Sequence, residues 1–298
     1  MTRIVTTVTE MQAARAALAG SVGLVPTMGF LHEGHLSLVR RSAAENDHTV
    51  VSIFVNPAQF GPNEDFERYP RDEKRDLALL DDEGVDIVFM PSAGEMYPPG
   101  FDEWVEVHGP VVARLEGEHR PGHFRGVTTV VARLFRIVQP DRAYFGQKDA
   151  QQLRVVRRMV ADLGLPVDVV AMPIVREPDG LAMSSRNVYL SPQDRAAALA
   201  LSRSLRLAES LVEQGETDAA AIRRRVEEVL RAEARIVVEY VSIADERTLE
   251  EVEALDRPAL LLLVGRLGVT RLLDNTVLIP PGVPASEELR SLVSGRSR

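Results

Sequence analysis

Along the first half of the chain, short apolar runs alternate with stretches in which apolar residues return every three or four positions. The runs Gly23–Pro26, Thr49–Val55, Ile87–Pro91, Arg142–Phe145 and Val167–Ile174 predict strands. The periodic stretches His35–Ala44, Asp72–Asp82, Val127–Val138 and Ala150–Leu163 predict helices. Such alternation builds a Rossmann-like, doubly wound parallel sheet of the α/β class, with ligands beyond the carboxyl ends of its strands. From Ser191 the pattern changes. Ser191-Pro192-Gln193-Asp194 is a helix start, with serine as N-cap and proline in the first turn. Helical periodicity follows at Gln193–Gln214 and Asp218–Glu233. Apolar runs at Val237–Ile243, Ala259–Val264 and Thr270–Ile279 then predict a small sheet. The expectation is two domains: residues 1–176, and a smaller α+β domain at 177–298 that ends in a polar, frayed tail from Ser286. Between Gly61 and Arg75 the chain is polar and charged; it reads equally as a lid or as a plain surface connection.

Composition narrows the class. The chain has 298 residues, 45% hydrophobic and 27% charged, which suits a globular protein with real cores. It has no cysteine, which excludes disulfides, thiolate metal sites and cysteine nucleophiles and fits a reducing, cytoplasmic setting. No basic segment leads into an apolar run at the N-terminus, so no signal peptide is expected. The longest apolar stretch, Ala259–Val264, is too short to span a bilayer. The net charge of −9 argues against a nucleic-acid partner, and an anionic substrate would have to be held by local positive groups.

Four clusters carry candidate chemistry, each beside a predicted strand or turn. The first is Pro26-Thr27-Met28-Gly29-Phe30-Leu31-His32-Glu33-Gly34-His35, a strand, a tight turn and a helix start. Free N–H groups at a helix N-terminus favour phosphate, and two imidazoles add donors; the His-x-x-His spacing also suits a metal or a merely polar face. The second is Gly146-Gln147-Lys148-Asp149 after an apolar strand, where the lysine is either a phosphate contact or a solvated charge. The third is Met183-Ser184-Ser185-Arg186-Asn187, two hydroxyls, a guanidinium and an amide, which fits phosphate oxygens or a simple helix cap. The fourth is Asn56-Pro57-Ala58-Gln59-Phe60, whose amides suit an organic substrate with hydroxyl and carboxylate groups; Gln151-Gln152 invites the same comment. His108, His119 and His123 read as loop or hydrogen-bonding histidines, and His48 as exposed. Asp76 is either a surface carboxylate or a ligand for Mg²⁺ on a triphosphate.

These clusters, in this order and together with His123-Phe124-Arg125-Gly126, resemble the pantoate–β-alanine ligase family over nearly the whole chain. The His-x-Gly-His-like turn is shared with the wider nucleotidyltransferase superfamily; here it reads His32-Glu33-Gly34-His35. The resemblance implies a cytoplasmic homodimer that uses ATP and Mg²⁺ to join pantoate to β-alanine through a pantoyl adenylate. It implies that Met28 to His35, Gly146 to Asp149, Val175 and Met183 to Arg186 hold the nucleotide, and that His35 is the proton donor. By the same match Gln59 binds pantoate and β-alanine, and Gln152 binds pantoate. Lys148, His32, His35, Ser184, Ser185 and Arg186 then form the catalytic set, with Asn56 beside Gln59 and Asp76 toward the metal. Position 147 is Gln where the family often has Glu, a change expected to matter little. A nucleotidylyltransferase acting on a phosphorylated small molecule is the alternative, since it shares the first cluster.

Overall fold

The structure is a computed structural model that describes residues 2–293. It divides into two compact units, residues 1–146 with 152–172, and residues 147–151 with 173–298. In chain order the elements run β1 (Arg3–Val5), α1 (Val8–Ala16), β2 (Val22–Thr27), α2 (Glu33–Glu45), β3 (His48–Ile53), α3 (Glu73–Asp82), β4 (Ile87–Phe89) and α4 (Ala93–Met96). They continue with α5 (Pro110–Ala113), α6 (Glu116–His119), α7 (His123–Val138), β5 (Arg142–Gly146), α8 (Ala150–Leu163) and β6 (Asp168–Met172). Then follow α9 (Pro192–Glu213), α10 (Ala219–Arg231), β7 (Ile236–Asp245), β8 (Ala259–Leu267), β9 (Thr270–Leu278) and α11 (Glu287–Ser291).

The first unit is the predicted α/β sheet: six strands in the order β1-β4-β3-β2-β5-β6, with every pairing parallel. Side chains alternate faces along a strand. In β2 and β3, Leu24 and Val50 face one way and Val25 and Val51 the other, and all four are buried. Both faces are therefore covered, which is why these strands read as unbroken apolar runs. Val25, Val51 and Val88 pack with Leu38 and Val39 of α2 and Leu80 of α3. From β2 the chain passes to β3 and β4 on one side, then to β5 and β6 on the other. The direction reverses between β2 and β5, the place where open α/β sheets bind ligands.

The second unit is a three-stranded antiparallel sheet, β7-β8-β9, carrying α9 and α10. Leu201, Leu205, Ile222 and Val226 of the helices join Ile243, Leu261 and Leu263 of the strands in one core.

The sequence misses some elements. β1 is three residues long and shows no period, and α1 follows it. α7 begins at His123 rather than Val127, because its first turn is buried by a neighbouring loop rather than by an apolar stripe. The C-terminal stretch expected to fray forms α11, capped by the Ser286 hydroxyl; residues 294–298 of that expectation lie outside the described residues.

Candidate active site

β2 ends at Thr27, whose hydroxyl donates to Ser52 O and accepts the Gly29 N–H. The turn that follows has φ of 79° at Gly29 and 51° at Phe30. Phe30 is a side-chain-bearing residue in the left-handed region, so something must hold it there. Asp76 does so: its carboxylate accepts the N–H of Phe30 at 2.6 Å and of Leu31 at 2.8 Å. Burial pushes the Asp76 carboxyl up from its ordinary range, and those two N–H donors pull it partly back. Asp76, 1% exposed, is thus a turn anchor. Each carboxylate oxygen accepts one backbone N–H, which gives Asp76 a structural role in this turn. Among the described residues no group of three or more His, Asp or Glu side chains is arranged to hold a metal.

The two histidines then start α2. His32 is the N-cap, and its Nδ1 accepts the Gly34 N–H at 3.1 Å; His35 Nδ1 accepts the His32 N–H at 3.3 Å. The ring centroids lie 4.1 Å apart. A ring nitrogen that accepts carries no proton, so each neutral imidazole bears its N–H on Nε2. This refines the sequence expectation. The N–H of Gly34 is taken by His32, and those of His35 and Leu36 by His32 O, so these three backbone donors are already engaged within the turn. Glu33 pairs with Arg40, and the Leu31 side chain is buried in the core.

Beside this turn sits the loop after β3. Asn56 is buried; its Oδ1 accepts the Ala58 N–H and its Nδ2 donates to Gly126 O and to Gln59 Oε1. Gln59 Nε2 lies 3.3 Å from Met28 Sδ, directed toward the histidine turn. The start of α7 clamps this loop. A Cβ at Gly126 would lie 2.2 Å from Ala58 O, so only glycine permits the approach. His123 Nδ1 donates to Gln59 O at 2.9 Å while its Nε2 accepts from Arg120, which also pairs with Glu64. Burial, with the nearby Arg120 cation, lowers the His123 pKa to about 4. The sequence expectation of a hydrogen-bonding histidine describes it well. The segment 61–75 is tied down by Arg71, which donates to Phe66 O and Tyr69 O, and by the rings of Phe60, Phe66 and Tyr69. Gln152 is half-buried on α8.

The second unit holds residues 147–149 of the second cluster and the whole of the third, both anchored on β9. Asn275 Nδ2 donates to the carbonyls of Gln147 and Lys148, and its Oδ1 accepts from Gln147 Nε2. Lys148 Nζ lies 4.0 Å from Asp149 Oδ1. Asp274, next to Asn275 on the strand, pairs with both terminal nitrogens of Arg176 at 2.7 and 2.9 Å. Arg176 bridges to Ala182 and Met183 N–H donates to Val175 O, which closes a small hairpin. Ser184 caps the turn Ser185–Tyr189 by accepting the Arg186 N–H; Ser185 is buried. Asp274 and Asn275 were not singled out from the sequence. The available signal was an acid–amide pair between the apolar pairs Leu272-Leu273 and Val277-Leu278, since buried polar groups need partners.

Comparison with known proteins agrees. The sequence profile of the family described as Pantoate-beta-alanine ligase matches residues 3–277. Pantothenate synthetase of Roseiflexus sp. (strain RS-1) is 59% identical over 276 residues, 93% of this chain and 99% of the relative. That of Thermotoga neapolitana is 57% identical over 279 residues, again 93% and 99%. The crystal structure of pantothenate synthetase from Thermus thermophilus superposes with a TM-score of 0.90 at 53% identity, covering 93% of this chain and all of that one. The Francisella tularensis ligase, solved with β,γ-ATP and β-alanine, gives a TM-score of 0.78 at 31% identity, covering 93% and 98%. On profile, identity and structure together, the chain belongs to the pantoate–β-alanine ligase family and is a carbon–nitrogen ligase.

Proposed function

We propose that this ligase joins pantoate to β-alanine in two steps through pantoyl adenylate. A carboxylate oxygen of pantoate bonds to the α-phosphorus of ATP, and the bond to the bridging oxygen breaks to release pyrophosphate. The amine of β-alanine, after losing a proton from its ammonium form, attacks the acyl carbon and expels AMP. The pantoate carboxylate is ionised at neutral pH and needs no general base. The difficulty is bringing an anion onto an anion, so the chain's task is positioning and preorganised charge.

In this reading the Nε2–H groups of His32 and His35 donate to phosphate oxygens, with His35 toward the developing charge. Lys148 supplies a compact cation, and Ser184, Ser185 and Arg186 supply hydroxyl and guanidinium donors. Pro26 to His35, Gly146 to Asp149, Val175 and Met183 hold the nucleotide; Asn56, Gln59 and Gln152 serve the acids. The observation that carries the reading is the 3.3 Å approach of the Gln59 amide to Met28. It sets the Gln59 carboxamide beside the turn that carries the two imidazoles. Mg²⁺ belongs to the family's reaction; Asp76 serves the turn, and no step here is routed through the ion.

Family membership also grounds the proposal of a cytoplasmic homodimer; no helix among the described residues is long and apolar enough to cross a membrane. Light scattering that returned the mass of one chain would refute the dimer. For the chemistry, ATP–pyrophosphate exchange should require pantoate, and AMP release should require both acids. Exchange that depended instead on a phosphate ester would point to nucleotidylyl transfer.

A further inference from the structure

The side chain of Gln59 is held in one of two nearly isosteric orientations, and the reason can be traced outward. Asn56 touches two backbone groups of opposite polarity: the Ala58 N–H, which can only donate, at 3.2 Å, and Gly126 O, which can only accept, at 3.1 Å. Its amide therefore has one workable orientation. The remaining Nδ2 hydrogen meets Gln59 Oε1 at 3.0 Å, which turns Gln59 Nε2 toward Met28. The remaining capacity of Asn56 Oδ1 is filled by the Tyr97 hydroxyl at 2.7 Å. Tyr97 reaches it from the end of α4. Its ring is fixed edge-on to Phe101 with centroids 5.1 Å apart, and lies 6.3 Å from both Phe54 and Trp104. Burial raises its pKa to about 12, so the hydroxyl keeps the proton it donates.

We propose that Tyr97 is a positioning residue for acid binding: acting through Asn56, it holds the Gln59 carboxamide with its NH₂ group presented, so that this point takes a carboxylate or hydroxyl oxygen. A thioether sulfur is a weak acceptor, and a substrate oxygen in its place makes the stronger bond. The inference rests on the reading of Gln59 as a pantoate contact.

The test is a double-mutant cycle on KM for pantoate in ATP–pyrophosphate exchange. Tyr97→Phe keeps the ring and removes the hydroxyl; it should raise KM roughly 3- to 10-fold, with kcat within about twofold, as loss of one neutral hydrogen bond predicts. Gln59→Ala should raise KM further. In the Gln59→Ala background, Tyr97→Phe should change KM by less than about twofold, because its route to the substrate is gone. Asn56→Ser, which keeps an acceptor for Ala58 but deletes the amide donor, should behave in the same way. Equal multiplicative effects in both backgrounds would overturn the relay while leaving Gln59 as a contact. An unchanged KM in Gln59→Ala would overturn the contact itself, and the relay with it.

Discussion

The amides of Gln147 and Asn275 interlock with a fixed polarity: Gln147 Nε2 donates to Asn275 Oδ1 at 2.9 Å, and Asn275 Nδ2 is committed to two backbone carbonyls. Gln147 meets this oxygen as a donor. The resemblance implies that Gln in place of Glu matters little for binding; the bond to buried Asn275 leads us to expect an effect on stability. Gln147→Glu would set a carboxylate against an acceptor oxygen where the wild-type side chain is fully buried. We expect a loss of about 2 kcal/mol near neutral pH, read as a lower melting temperature. The deficit should shrink as the pH falls and the new carboxyl takes up a proton, because the protonated acid can donate to Asn275 Oδ1.

His123 gives the fold an acid limit. Its ordinary pKa of 6.5 is lowered to about 4 by burial. Above pH 6.5 the ring is neutral in both folded and unfolded chains and adds no pH dependence. Between 6.5 and about 4 the unfolded chain takes up a proton that the folded one does not, so stability falls with pH. A difference of this size amounts to at most about 3 kcal/mol. Subtracting the stability–pH curve of His123→Gln from that of the wild type should isolate a slope confined to this window. Superimposable slopes would show that the ring is not buried neutral.

Much of this was legible in the sequence, for physical reasons specific to each part. β2 and β3 read clearly because both faces of the sheet are covered, which leaves no polar face to interrupt the run. α1 was legible and passed over: Thr7-Val8-Thr9-Glu10 is a capping box, with Thr7 and Glu10 exchanging bonds. The start of α7 was not legible, since Gly126 owes its identity to Ala58, far away in sequence. The histidine turn, Gln59 and Lys148 stood out by residue type and position. What orients them did not: Tyr97 is 41 residues from Asn56, and Gln147 is 128 residues from Asn275. No local pattern encodes such pairs.

His35 and Lys148 should dominate adenylate formation. Removing one preorganised donor to developing charge typically costs roughly 100- to 1000-fold in rate. His35→Ala and Lys148→Ala should each fall by about that factor in pantoate-dependent exchange. His35 also caps α2 by accepting the His32 N–H, so part of its effect is structural. His35→Asn, which offers an amide oxygen in place of Nδ1, should restore the melting temperature but not the exchange rate. Near wild-type exchange in both alanine variants would remove these residues from the chemistry.

Asp76 separates an anchor from a metal ligand. It accepts the N–H groups of Phe30 and Leu31, and a Cβ at Gly29 would approach its Oδ2 to 3.1 Å, so it is packed directly beneath the turn. Asp76→Asn replaces one acceptor with a donor that faces a backbone N–H. Two donors in contact cost about 1–3 kcal/mol, and Phe30 loses part of what holds it at positive φ. We expect a lower melting temperature and weaker exchange, because the imidazoles of His32 and His35 hang from this turn. A ligand would behave differently when the ion is withdrawn. Titrating Mg²⁺ back after chelation, the concentration giving half-maximal exchange should be the same in wild type and Asp76→Asn. A rise of about tenfold or more in that concentration, with the melting temperature unchanged, would return Asp76 to the metal.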